Sequence, residues 1–167
     1  MLDDYLQCMA DSVQECGGQV LKYLGDGLLA TFPCPEENPS AGCDAAIEAA
    51  RTMQDRTDVL NRTRTAAGHP TMPLDVALHR GEVHYGNVGS DRRMEFTVIG
   101  PAVNEAARIE SMCEPLGHAI VASKSFAGAS DAPDQFIPLG RHELRGVREH
   151  KELFALRPGV AGPDRST

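Results

Sequence analysis

No apolar run in this 167-residue chain approaches the ~18 residues that a membrane-spanning helix requires, so no membrane segment is expected. No basic stretch opens it either. The first residues, MLDDYLQCMADS, carry acid, and no secretory leader is expected. Positive charge is scarce: 16 Lys and Arg stand against 24 Asp and Glu, a net charge of −8, with only three lysines. A surface built to neutralise nucleic acid phosphates is therefore excluded, although a small anionic substrate is not. The five cysteines are odd in number and form no CxxC pair, which removes both a disulfide framework and a metal knuckle. Free thiols, mostly small buried hydrophobes, in a reducing cytoplasm are the expectation. There is no P-loop, no GxGxxG and no Ser-centred nucleophile elbow, and no internal repeat.

What remains is ordinary globular composition, 41% hydrophobic and 24% charged. A chain of this length makes one domain and buries ~68–70% of the surface its unfolded form exposes. Leu2, Leu6, Met9 and Val13 recur at helical spacing and predict a helix over 2–15, ended by Gly17-Gly18. Strands over 19–24 and 28–32 flank Gly25-Asp26-Gly27, a hairpin signal. Ser40 is a candidate cap for a helix running through Met53. Residues 61–72 are polar and punctuated by Gly and Pro, so a mobile loop is expected. Leu74, Val76 and Leu78 alternate in a strand, Val83 and Tyr85 form another, 86–89 turn, and 94–99 return. Pro101 opens a helix expected to run to about Cys113 and to stop before Pro115. Short strands near 118–122, 135–139 and 153–156 follow, with a flexible tail over 158–167. Mixed helices and hairpins predict an α+β fold, a largely antiparallel sheet covered by helices.

Few side chains invite chemistry, and each has a structural explanation beside the functional one. Lys22 interrupts an apolar strand, either as its outward-facing residue or as a donor to a ligand over the sheet. Asp26 suits a turn for backbone reasons, and it also leaves room for Mg²⁺ and its waters. Asn104 and Arg108 lie four apart on one helix, opposite Ala102, Ala106, Ile109 and Cys113. An amide beside a guanidinium binds anions, while a solvated face with Arg108 paired to Glu105 is the alternative. Thr97 suits a strand without any function. His79 and His84 flank a glycine and read as strand-surface histidines, since no third ligand lies at useful spacing.

Three blocks taken together resemble one family. GGQVLKYLGDGLLATF (17–32), VALHRGEVHYGNVGS (76–90) and EFTVIGPAVNEAARIES (95–111) are similar to the catalytic domain of class III adenylate and guanylate cyclases. LRGVREHKELFAL (144–156) looks like that family's closing strands, so the resemblance spans 1–157. It implies a ferredoxin-like palm, a head-to-tail homodimer, and ATP bound in clefts shared across the interface. The implied reaction is attack of the ribose 3′-hydroxyl on the α-phosphate, giving 3′,5′-cyclic AMP and pyrophosphate, with two Mg²⁺ or Mn²⁺ ions. Residue by residue, Asp26 matches a metal-binding aspartate, Lys22 the lysine that reads adenine, and Thr97 the partner of that lysine. Asn104 matches the ribose-orienting asparagine and Arg108 the arginine that stabilises charge on the α-phosphate. Arg145 or Arg148 is the candidate for the triphosphate tail. Thr at 97 resembles the subgroup that includes bicarbonate-responsive cyclases, and guanine readers are expected to show Glu and Cys at positions 22 and 97.

One motif departs from the pattern. The family's first strand, F-x-D-x-x-G-F-T, carries the first metal aspartate and does not occur in these residues. Residues 2–16 already match the helix that follows it, so that strand is expected before Met1, in a longer natural chain with an upstream sensor. Asp3 and Asp4 lie on the helix and do not replace the aspartate. Three expectations follow: little turnover, a sheet that closes differently or borrows pairing, and a non-standard or swapped dimer. The alternatives are an inactive cyclase-like module that binds nucleotide or a partner, and a guanylate cyclase.

Overall fold

A computed structural model describes residues 1–158 apart from Asp91, Arg92 and Arg148, and describes 87–97 by backbone alone. Helix α1 (Leu2–Glu15) leads into a hairpin of β1 (Gln19–Leu24) and β2 (Gly27–Thr31). Helix α2 (Ala41–Ala66) precedes β3 (Val76–Leu78) and a second hairpin, β4 (His84–Ser90) and β5 (Arg93–Ile99). Then come α3 (Pro101–Glu110), α4 (Cys113–Leu116), β6 (Ile120–Ser123), α5 (Lys124–Ala127), β7 (Phe136–His142) and β8 (Lys151–Leu156).

The described strands form three sheets: β3-β6-β8-β7, and the hairpins β1-β2 and β4-β5. Pairing is antiparallel except between β3 and β6, which are joined through a crossover and run parallel. The expectation of a largely antiparallel α+β fold is met, with the sheet divided rather than continuous.

The four-stranded sheet is covered on both faces, and β6 shows why. All four of its residues are buried, and successive side chains point to opposite sides. Ile120 and Ala122 join Cys43, Ile47 and Ala50 of α2, with Phe126, Phe136 and Leu156. Val121 points the other way, into a second cluster with Ile109, Cys113, Leu144 and Leu153. Helix α1 packs on α2 rather than on this sheet, burying Tyr5, Ala10 and Val13.

Several boundaries differ from the sequence reading. The expected loop over 61–72 begins with helix, because α2 runs to Ala66. A tertiary clamp favours the extra turns: Tyr5 donates its hydroxyl hydrogen to Asn61, whose amide donates to the Met72 carbonyl at 2.8 Å. Ser40 precedes α2 but makes no side-chain cap; its hydroxyl lies between Asn38 and Asp131. The turn expected at 86–89 is strand, since β4 continues to Ser90. The helix after Pro101 breaks after Glu110, and Pro115 sits inside the short α4, where an early position needs no donor. The tail expected from 158 lies, from 159 onward, outside the described residues.

Of the five thiols only Cys43 and Cys113 are buried, while Cys34 is exposed. No helix among the described residues is long and apolar enough to cross a membrane.

The α3 packing has a measurable cost of removal. Ile109→Ala, at a side chain with no exposed surface, is expected to lower the unfolding free energy by about 3 kcal/mol in urea titrations. Val59→Ala, on the exposed face of α2, should change it by less than about 0.5 kcal/mol.

Candidate active site

The first hairpin carries two of the candidate residues. Its turn is Gly25-Asp26, flanked by the pair Leu24 and Gly27. Gly25 has φ +68°, the positive value that two-residue hairpin loops need and that glycine adopts without strain. Asp26 is thereby presented at the tip, exposed. The β1–β2 register shifts between Val20 and Lys22. Such a bulge re-aims the residues beyond it, and Lys22, Tyr23 and Leu24 are all exposed.

Helix α3 carries two more. Ile109 and Cys113 face the core, and Asn104 and Arg108 project from the opposite side, Asn104 exposed and Arg108 half-buried. Glu105 does not pair with Arg108, as one sequence reading allowed. It is held by Lys151 of β8, with 3.3 Å between Nζ and the carboxylate. The Arg108 guanidinium instead lies over the turn at Gly146, where Nη2 is 3.6 Å from the position a Cβ would take. That turn brings Arg145, also exposed, to the same end of α3.

Thr97 lies on β5 opposite Gly86 of β4, and its side chain lies outside the described residues, as does Arg148. Tyr85 and Ile99 of this second hairpin are each 50% exposed. The Tyr85 hydroxyl is 3.4 Å from Thr31 Oγ1 of β2, so the two hairpins adjoin.

Sequence reasoning passed over a set of carboxylates. Glu110, at the end of α3, has its carboxyl held above the ordinary 4.5 by burial and then by the charges of Asp75 and Asp26. Asp75, just before β3, is raised by burial and by Glu114. The same field, after burial, helps push the Cys113 thiol up to about 12. Asp26 thus lies within electrostatic reach of Glu110 at the end of α3. Only packing reveals this, since Asp26, Asp75 and Glu110 lie far apart in the chain.

His79 also departs from expectation. It is half-buried, and its Nδ1 lies 2.9 Å from Ser123 Oγ. Burial holds its imidazole below the usual range, against the opposing pull of Glu105. His84 is exposed, as expected.

Among the described residues no three His, Cys, Asp or Glu side chains converge to hold a metal ion. Asp26 offers a single exposed carboxylate. That fits a hydrated cation completing its shell with water and phosphate oxygens, and does not fit an all-protein cage.

Known proteins share this fold. The family model described as the adenylate and guanylate cyclase catalytic domain matches residues 1–157. An adenylate cyclase of Anabaena cylindrica is 36% identical over 139 residues, covering 81% of this chain and 26% of that protein. Adenylate cyclase 1 of Rhizobium meliloti is 26% identical, covering 92% of this chain and 23% of that protein. The chain therefore spans about a quarter of the curated relatives it matches. The crystal structure of the adenylyl cyclase CyaB from P. aeruginosa superposes with a TM-score of 0.79 at 26% identity, covering 96% of this chain and 82% of that one. The guanylyl cyclase Cya2 superposes at 0.74, also at 26% identity, covering 98% and 81%. The chain belongs to the adenylate and guanylate cyclase catalytic-domain family, and its fold is that family's ferredoxin-like palm.

The carboxylate field predicts a pH-dependent stability. A carboxyl raised by folding costs stability above its folded pKa, and costs nothing below its ordinary value of 4.5. Glu110→Gln should therefore be more stable than the parent at neutral pH. The gain should shrink as pH falls through the carboxylate range and vanish in acid, as followed by urea unfolding across that range.

Proposed function

We propose that this chain is an adenylate cyclase domain that binds ATP and forms 3′,5′-cyclic AMP and pyrophosphate. The observation that carries the reading is the outward face of α3, where Glu105 is drawn off to Lys151 and Arg108 is left beside Asn104 and the Arg145–Gly146 turn. In this reading Asn104 orients the ribose, and Arg108 meets the charge that builds on the α-phosphate as the 3′-oxygen bonds to phosphorus and pyrophosphate departs. Positioning and charge stabilisation of this kind supply most of the catalysis in phosphoryl transfer. Lys22 and Thr97 read the adenine edge. Adenylate cyclases among the relatives, one at 36% identity, support ATP over GTP.

Asp26 would hold a Mg²⁺ or Mn²⁺ ion arriving with the triphosphate, and that ion supplies charge neutralisation and acidity at the 3′-hydroxyl. The family's shared clefts put Asp26 of one protomer with Lys22, Thr97, Asn104 and Arg108 of the other in a homodimer. The exposed Tyr23, Leu24, Tyr85 and Ile99 on adjoining hairpins support such an interface. No membrane segment or nucleic acid enters this reading, and a cytoplasmic setting suits ATP as substrate.

A second reading rests on the single carboxylate. With Asp26 alone and no second metal aspartate within these residues, the chain binds nucleotide or a partner without forming cyclic AMP, as an inactive regulatory module would.

Calorimetry and a product assay with Mn²⁺ separate these readings. ATP is expected to bind in preference to GTP and to yield cyclic AMP slowly. Arg108→Ala should lower that rate by roughly 10²-fold with nucleotide affinity little changed. Lys22→Ala should narrow the ATP-over-GTP preference by about tenfold. Binding of neither nucleotide would end the reading, and rates ordinary for a cyclase would end the claim of slow turnover.

A further inference from the structure

The segment leaving β2 lies directly on the first turn of α2. A Cβ at Gly42 would collide with the Pro33 carbonyl and stand 2.8 Å from Cys34 Sγ, so this close approach needs glycine. Cys34 is exposed, and its thiol donates to the Phe32 carbonyl at 3.9 Å. Cys43, the next residue on α2, is 2% exposed, and Cys34 is the first neighbour, after burial, to raise its thiol's pKa, as expected of a sulfur seated over Gly42. The chain thus brings two thiols to one turn of α2, Cys34 open to solvent over Gly42 and Cys43 buried beside it. Cys8 and Cys113 lie on other elements, and Cys16 at the end of α1.

We propose that Cys34 and Cys43 form a redox-modifiable dithiol that closes to a disulfide on reaction with a peroxide, fastening the exit of β2 to α2. The exposed Cys34 sulfur attacks hydrogen peroxide, the O–O bond breaks, water leaves and a sulfenic acid remains. The Cys43 sulfur then displaces the sulfenic hydroxyl, which leaves as a second water with the Cys43 thiol hydrogen, the Cys34 hydrogen having left with the first. Two thiols are oxidised and one peroxide is reduced to two waters.

Burial, reinforced by Cys34, pushes the Cys43 thiol up to about 11, with Arg80 opposing and Asp44 adding to the rise. The second step should therefore quicken as pH rises. The bond would anchor the base of the hairpin that carries Lys22 and Asp26. The inference goes beyond nucleotide chemistry and does not depend on it.

The test treats the full chain with hydrogen peroxide, blocks remaining thiols with maleimide and maps the peptides by mass spectrometry. A Cys34–Cys43 bond is expected, with three of the five thiols still alkylated, reversal by dithiothreitol, and faster closure in mildly alkaline than in neutral buffer. Cys34→Ser should abolish the bond, and Cys43→Ser should leave a sulfenic acid at Cys34 that dimedone traps. Should Cys43→Ser fail to fold, Cys34→Ser, at an exposed position, still decides. Five alkylated thiols after peroxide would overturn the proposal. So would a bond between any other pair, or over-oxidation of Cys34 with Cys43 left as a thiol. None of these readouts involves nucleotide, so the outcome stands apart from the cyclase reading.

Discussion

Ile109 has no exposed surface, and its contact with Val121, Leu144 and Leu153 sets the rotation of α3 about its axis. Residues one helical turn apart share a face, so with Ile109 buried, Asn104 and Arg108 lie together on another face, Asn104 exposed and Arg108 half-buried. The Glu105–Lys151 pair sits at the margin of this contact, partly exposed on both partners. An ion pair of that kind contributes about 1 kcal/mol or less, against several for the buried isoleucine. It therefore does not hold the helix. What it changes is local charge: a carboxylate adjacent in sequence to Asn104 is compensated from β8 and leaves the guanidinium of Arg108 to other anions.

Charge also shapes what can approach. The chain carries a net −8, and Glu110 and Asp75 have raised carboxyls, through burial first and neighbouring acids second. Anions approaching that side of the molecule meet repulsion. The cationic groups, Arg108 and Arg145, lie on α3 and the turn beside it rather than at the hairpin tip.

Local signals made much of the fold legible. Glycines at the first turn, the apolar runs on either side of it, and apolar positions on α3 at helical spacing each act over a few residues, and the first hairpin and the start of α3 stand where those residues placed them. What could not be read depended on distant partners. The last turns of α2 look like loop until Tyr5 engages Asn61 across 56 positions. The Gly86–Gly89 stretch has the composition of a turn, yet it pairs with β5 as strand. The site divided in the same way. Asn104 and Arg108 were visible as an i, i+4 pair, whereas the loss of Glu105 to Lys151 and the acid within reach of Asp26 appear only once α3, β3 and β8 are packed together.

The division of the sheet bears on how precisely the hairpin acid is held. Among the described strands, β1 and β2 form backbone ladders only with each other, so no ladder ties them to the central sheet. Their hold lies at the base: Phe32 packs against the α2 core and over Gly18, and the chain after it rests on Gly42. From that base β2 extends about 3.3 Å per residue, so five residues place Asp26 roughly 17 Å out on a two-stranded lever. Two-stranded hairpins are marginal by themselves. The tip therefore gains its final position from what it meets, and the base contacts govern how far it can stray. The arginine on α3 is set by a buried core. The aspartate is set by a lever, and anything that stiffens the base of that lever sharpens the site more than an added contact near α3 would.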